Sequence, residues 1–376
     1  MRKTVALVLA LLLVLTCLAG CGAGGGNDAS GKGTLTLNVY NWGEYISDGS
    51  EGSYDTVKEF EKWYAKEYGT KVRVNYDTFA SNEDMYAKLS AGAVSYDVIV
   101  PSDYMIARMA EEGMLLPLNF MNIPNYEYIN ESFRGLYYDP DNLYTVPYAY
   151  GIVGVIWDAN QVDEADAEGW DLLWNEAYSG HILSFNNPRD TFGTAMYKLE
   201  IDVNTTDHGE WDRAYDELML QRPLLYGQVM DEIYNLMESG EAAIGVYYAG
   251  DYFTMLDAQA ESVDLQFYYP DPTNYYIDAM CIPSCCQNQE LAEIFINFML
   301  SHDAAVANAE YTWYATPNRI VYEDEEYIEE MGEDAMAVLY PDIDDFSALY
   351  NKYAYRNLDA DTLGYINTLW ENVKIN

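Results

Sequence analysis

Hydrophobic positions alternate with period two over residues 35–41 (LTLNVYN), take helical spacing over 56–68 and alternate again over 71–76 (KVRVNY), which predicts a β-α-β opening. Helical spacing over 82–91, a continuous apolar strand at 96–100 (YDVIV) and another helix at 103–112 extend the series. Strands alternating with helices predict an α/β fold with a parallel sheet covered on both faces, and such sheets take ligands at the C-terminal ends of their strands. Pro101-Ser102-Asp103 falls at one such end. Residues 144–158 (YTVPYAYGIVGVIWD) are extended and apolar, as expected of a strand crossing from one lobe to another. A second alternation follows, with strands expected at 181–187, 242–248, 263–269 and 276–282, the last carrying the chain back to the first lobe. An amphipathic helix is expected at 288–301, and a mostly helical tail from Asp344.

The start of the chain has a different pattern. Arg2 and Lys3 precede an apolar run that ends in Leu18-Ala19-Gly20-Cys21. The run is shorter than the ~20 residues needed to span a bilayer and has no charged stop behind it, so residues 1–20 read as a cleaved secretion signal ending in a lipobox. Cys21 would become the lipidated N-terminus. Residues 21–33 (CGAGGGNDASGKG) cannot bury a core and form a flexible tether of about 20 Å reach. The domain is therefore expected outside the cytoplasm, held to the cell membrane by its lipid.

Charge narrows the choice of partners. The 376 residues include 19 Lys+Arg and 62 Asp+Glu, a net charge of −43 that becomes −45 once Arg2 and Lys3 leave with the signal. Such a chain cannot neutralise phosphates, which excludes nucleic acid and an anionic membrane surface as docking partners. Acidity alone serves solubility, but 37 tyrosines and 8 tryptophans accompany it. Carboxylates with flat aromatic faces suit an organic cation, whose charge needs acids and whose methylenes need apolar walls. Calcium would not need the rings. Of the cysteines, Cys281, Cys285 and Cys286 remain after Cys17 and Cys21 are assigned to signal and lipid. Three argue against a disulfide framework, and C-x-x-x-C-C matches no zinc spacing, so they read as small buried hydrophobes in a strand and turn. No metal or cofactor is expected.

Aromatic, amide and acidic residues recur at the predicted strand ends: Trp42, Glu44 and Tyr45; Ser102 and Tyr104; Asn187 and Asp190; Tyr248; and, within another strand, Tyr276 and Asp278. Each alone fits the rim of a core. Together, drawn from both halves of the chain, they describe a cleft with flat walls and negative charge.

These residues lie in segments that resemble the substrate-binding lipoproteins of bacterial spermidine/putrescine ABC importers: YNWGEYI, NEDMYAKL, YDVIVPSDY, WDLLWNEAYSGHILSFNNPRD, SGEAAIGVYYAGD, YYIDAMCIPS and WYATPN, in the family's order and spacing. The resemblance runs from Thr34 to the C-terminus. It implies a type II periplasmic-binding-protein fold, with lobe 1 at 34–147 plus 276–315 and lobe 2 at 148–275 plus 316–376, closing on a polyamine. It places an aromatic box on Trp42, Tyr45, Tyr248, Tyr276 and Tyr314, the second and third of these tyrosines standing where some members carry tryptophan. Asp190, Asp278 and Glu44 would pair with ammonium groups, and Ser102 and Tyr104 would supply polar contacts. Asn187 departs from the pattern, being neutral where a spermidine binder has an acid, which leaves spermidine against putrescine open. A further polar contact would fall on Arg356, a cation where the ligand itself is cationic.

The resemblance implies a monomeric binding component, without turnover, that hands its ligand to permease subunits. Two other readings remain: a binding protein of the same fold for another small solute, and an extracellular glycoside hydrolase using cleft acids. The second lacks a Ser/His/Asp order and has only three histidines to draw on.

Overall fold

The computed structural model describes residues 33–375, apart from the side chains of 343–345 and 375. The signal, Cys21 and most of the tether lie outside the described residues. From Leu35 onward the chain forms one compact unit.

Strand β1 (Leu35–Trp42) pairs in parallel with β2 (Val72–Phe79) and β3 (Val98–Ile99). The helix Thr56–Tyr68 between β1 and β2 starts where the Asp55 carboxylate accepts from Lys58 N and stops at Gly69, whose φ of 64° is left-handed. Its Phe60 and Tyr64 form the inward stripe, and Phe60 meets Phe295 edge-on at 4.9 Å. Phe295 belongs to the helix Gln289–Met299, which covers the same face of the sheet.

The described strands form a path β2-β1-β3-β9-β4-β7-β5-β6, with β8 (Leu265–Tyr268) paired to β4 off that path. It is a mixed sheet. β5 (Ile182–Phe185) runs parallel to both β6 (Leu225–Val229) and β7 (Ile244–Tyr248), whereas β9 (Tyr275–Cys281) is antiparallel to β3 and β4. The expectation of a parallel sheet is corrected at β4, β8 and β9, whose pairings are antiparallel, with β4 and β9 joining the halves. β4 (Thr145–Asp158) is 14 residues long, and its first part registers with β9 while Val153–Trp157 registers with β7. Its near-continuous apolar composition follows from burial on both faces along nearly its whole length. β6 was not anticipated, because LYGQV is half-buried and shows no clear alternation.

Four helices begin where strands of this sheet end: Asn82–Ser90, Asp103–Glu111, Pro188–Lys198 and Ala249–Ala258. Each carries an acid in its first turn, Glu83, Asp103, Asp190 and Asp251, where the helix dipole favours negative charge. The tail forms the helices Ile343–Tyr353 and Ala360–Ile375. Cys281 is buried in β9 as expected, but Cys285 and Cys286 in the following turn are only half-buried. Burial, together with Asp97 beside it, pushes the Cys286 thiol up to about 12, which keeps it unreactive.

Candidate functional site

The strand ends and helix starts enclose a hollow of about 750 Å³, measured with the open solvent at its mouth. Trp42, Tyr45, Ser102, Tyr104, Asn187, Asp190, Tyr248, Tyr276, Asp278 and Tyr314 line it together. Glu44 does not: it sits at a left-handed turn residue (φ 48°) on the exposed side of the β1 end, where burial and the nearby Asp48 and Asp231 raise its pKa. Arg356 is also absent from the walls, its guanidinium lying 3.7 Å over the Tyr137 ring. Its neighbour Tyr355 takes a place in the wall instead.

Five of the six acids that line the hollow are held by a phenol, and the sixth, Asp103, accepts from the backbone N of Tyr104 and of Ile277. Tyr45 Oη donates to Asp278 Oδ2 at 2.7 Å, and Tyr248 Oη donates to Asp190 Oδ2 at 2.8 Å. Asn187 does two jobs at once, capping its helix by accepting from Asp190 N at 2.9 Å and donating from Nδ2 to Asp190 Oδ2 at 2.8 Å. Three further acids, not foreseen, follow the same rule: Asp251 accepts from Tyr234 and Tyr314, Glu83 accepts from Tyr104 at 3.0 Å, and Asp231 accepts from Tyr247 at 3.2 Å. The signal that could have found Glu83 and Asp251 is their place in the first turn of a helix behind a strand end.

Burial dominates the electrostatics. It lifts the Asp278 carboxyl to about 6 against hydrogen bonding from Ser102 and Tyr45, with Asp190 adding to the rise. It lifts Asp251 to about 7, and Asp103, also in the lining of the hollow, to about 7. Asp190, Glu83 and Asp231 are raised by the same cause. A buried acid group without a counter-cation is an arrangement that a charged guest would stabilise.

Unpaired polar atoms indicate the same thing. Among the described residues, the buried Trp42 Nε1, Asn274 Oδ1, Tyr276 Oη and Asp278 Oδ1 have no hydrogen-bonding partner, and all four residues line the hollow. Buried polar atoms are rarely left unpaired, so four around one space mark a place for ligand or water. Tyr248 and Tyr276 meet edge to face at 5.3 Å, and Tyr45 and Tyr314 at 4.6 Å, giving the walls flat apolar surface. No group of three or more His, Cys, Asp or Glu among the described residues is arranged to hold a metal ion.

A mixed sheet continued through one long strand, with ligand-facing helix starts from both of its halves, defines a two-lobed α/β solute-binding protein. The chain belongs to the bacterial extracellular solute-binding proteins, whose family model matches residues 55–333. It is 31% identical over 337 residues to the spermidine/putrescine-binding periplasmic protein of Salmonella typhimurium, covering 86% of this chain and 92% of that one. The Escherichia coli protein of the same name is 32% identical over 287 residues, covering 75% and 78%. The crystal structure of the Streptococcus pneumoniae spermidine/putrescine ABC transporter substrate-binding protein PotD, in complex with calcium and HEPES, superposes with a TM-score of 0.69 at 32% identity, covering 91% of this chain and 99% of that one.

Proposed function

We propose that the protein captures a polyamine, spermidine or putrescine, outside the cytoplasm and delivers it to the permease subunits of an ABC importer, binding without turnover. The observation that carries this reading is the set of buried and half-buried carboxylates, each accepting from a phenol and none in an ion pair, between aromatic walls. Ammonium groups would pair with Asp190, Asp278 and Asp251, and the methylenes would lie against Trp42, Tyr45, Tyr248, Tyr276 and Tyr314. Each cation over a ring adds roughly 0.5–2 kcal/mol. Ser102 and Tyr104 supply polar contacts, and Glu44 would act from the rim on a longer ligand. The protein works as a monomer on a lipid at Cys21, with lobes divided near residues 147, 275 and 315 along β4, β9 and the segment after Thr312. No helix among the described residues is long and apolar enough to cross a membrane.

Calorimetry and tryptophan-fluorescence titration with putrescine, cadaverine, spermidine and spermine test the proposal. At least one should bind with 1:1 stoichiometry. Flat titrations with all four, and a response to an amino acid or sugar, would transfer the protein to another ligand class, and product release from a glycan panel would make it a hydrolase.

Gly151 offers a narrower test. A Cβ there would lie 2.4 Å from Tyr276 Oη and 2.8 Å from its Cζ, so Gly151→Ala must displace that ring. Overpacking of this kind costs about 1–3 kcal/mol. Affinity should fall about tenfold or more with the circular-dichroism spectrum unchanged; full affinity would remove Tyr276 from the wall that holds the ligand.

A further inference from the structure

We infer that Glu83 is the carboxylate that distinguishes a triamine from a diamine in this protein, supplying at one end of the hollow the negative charge that Asn187 lacks. The inference rests on the polyamine reading above and adds a residue and a discrimination to it.

The acids of the hollow form a series whose order follows from the phenols that hold them. Tyr104, which holds Glu83, shares the Arg189 guanidinium with Tyr355, at 5.6 and 4.5 Å, next to Asp190 in sequence; Tyr248, which holds Asp190, meets Tyr276 at 5.3 Å, two residues before Asp278 on the same strand. Tyr45, which holds Asp278, meets Tyr314 at 4.6 Å, and Tyr314 shares Asp251 with Tyr234, whose ring lies 6.3 Å from Tyr247, the partner of Asp231. Glu83 and Asp190 therefore mark one end, Asp278 the middle, and Asp251 with Asp231 the other. A diamine needs two consecutive members of this series. A triamine needs three, and its last ammonium falls beyond the reach of two acids.

Asn187 stands at the Glu83 end, and its side chain is committed. Its oxygen caps the helix Pro188–Lys198 and its nitrogen donates to Asp190, so it offers an ammonium no charge and at most one remaining lone pair. Glu83 comes from a different element, the first turn of the helix Asn82–Ser90, and reaches the same end of the hollow. Tyr104 Oη holds its Oε1 at 3.0 Å, and Asn82 Nδ2 steadies that phenol at 3.1 Å. The phenol fixes the carboxylate without neutralising it. Arg189 stacks on Tyr355 at 4.5 Å and donates from its two Nη atoms to Val203 O, Asn204 Oδ1 and Arg356 O, so it forms an ion pair with neither acid, although its charge offsets part of the rise that burial gives both. Glu83 thus keeps its charge available for a guest.

Glu83→Gln preserves size and the hydrogen bond from Tyr104 while removing the charge. Calorimetry on the full chain should show spermidine affinity falling at least tenfold, with putrescine affinity changing less than threefold and the ligand-free melting temperature holding within a few degrees. Glu83→Asp, which keeps the charge but withdraws it, should give an intermediate spermidine-to-putrescine ratio and carries the test if Glu83→Gln does not fold. Equal losses for both polyamines, or no loss for either, would overturn the assignment. The first of these, with a lowered melting temperature, is what a purely structural role in balancing the buried Arg189 would produce. If the unaltered protein bound neither polyamine, the ligand reading would fall instead, which keeps the two failures apart.

Discussion

Asp278→Asn is expected to cost polyamine affinity about 2–5 kcal/mol, a loss of roughly thirtyfold to several thousandfold, while raising the melting temperature of the ligand-free protein. Asp278 is 4% exposed, sits in the middle of the acid series and leaves Oδ1 unpaired, so an ammonium placed there gains a charge-assisted bond. Without a ligand the same carboxylate is a liability. Burial holds it near 6, and its charge in turn raises Asp103 behind it. Asparagine can still accept from Tyr45, so the hydrogen bond survives while the desolvation cost disappears, a gain on the order of 1–3 kcal/mol near neutral pH. Opposite signs for binding and stability identify a charge kept for function. Calorimetry and thermal melting on one preparation measure both, and unchanged affinity or a lowered melting temperature would remove Asp278 from that role.

How far the sequence foretold this site depends on which element carries each residue. Trp42, Ser102, Asn187 and Tyr248 lie at the ends of strands that period-two or continuous apolar patterns mark clearly, and topology brings such ends together. Glu44 was expected in the cleft from the same pattern, but the positive φ at that residue turns its side chain outward while Tyr45 turns in. The sequence does not single out Asp251 and Glu83, because each lies in the first turn of a helix, where an acid is ordinary. Only the three-dimensional meeting of four such helix starts separates them from the many exposed acids of this chain. Tyr355 had no local signal at all. It arrives from the tail, and its ring packs where a Cβ on Gly193 would lie 2.0 Å from its Oη, a fit between residues far apart in sequence. The mixed sheet was likewise illegible, since an apolar run does not state the direction of its neighbours.

Ligand affinity should fall about a hundredfold between pH 7.5 and 5.5, while the ligand-free protein becomes more stable over the same interval. Asp251 at about 7 and Asp278 at about 6 must both be ionised to pair with ammonium groups, which stay protonated throughout this range. Each acid that must shed a proton to bind weakens affinity by up to tenfold per pH unit below its pKa, and the two together give the stated loss if they titrate independently. Their neighbours add to it in the same direction, because Asp190, Glu83 and Asp103 are also raised, with burial the first cause in each. The sign for stability is the reverse. These acids have folded-state pKa values above the ordinary carboxylate range near 4, so between about pH 4 and 7 the folded protein binds more protons than the unfolded chain. Stability therefore declines as pH rises through that window and recovers as pH falls. Calorimetry in two buffers of different ionisation enthalpy near pH 6.5 should register protons released on binding, and melting curves should shift upward from pH 7.5 to 5.5. Constant affinity with no proton release would mean that these carboxyls are already ionised before the ligand arrives, and that the charge of the site is balanced by something other than its guest.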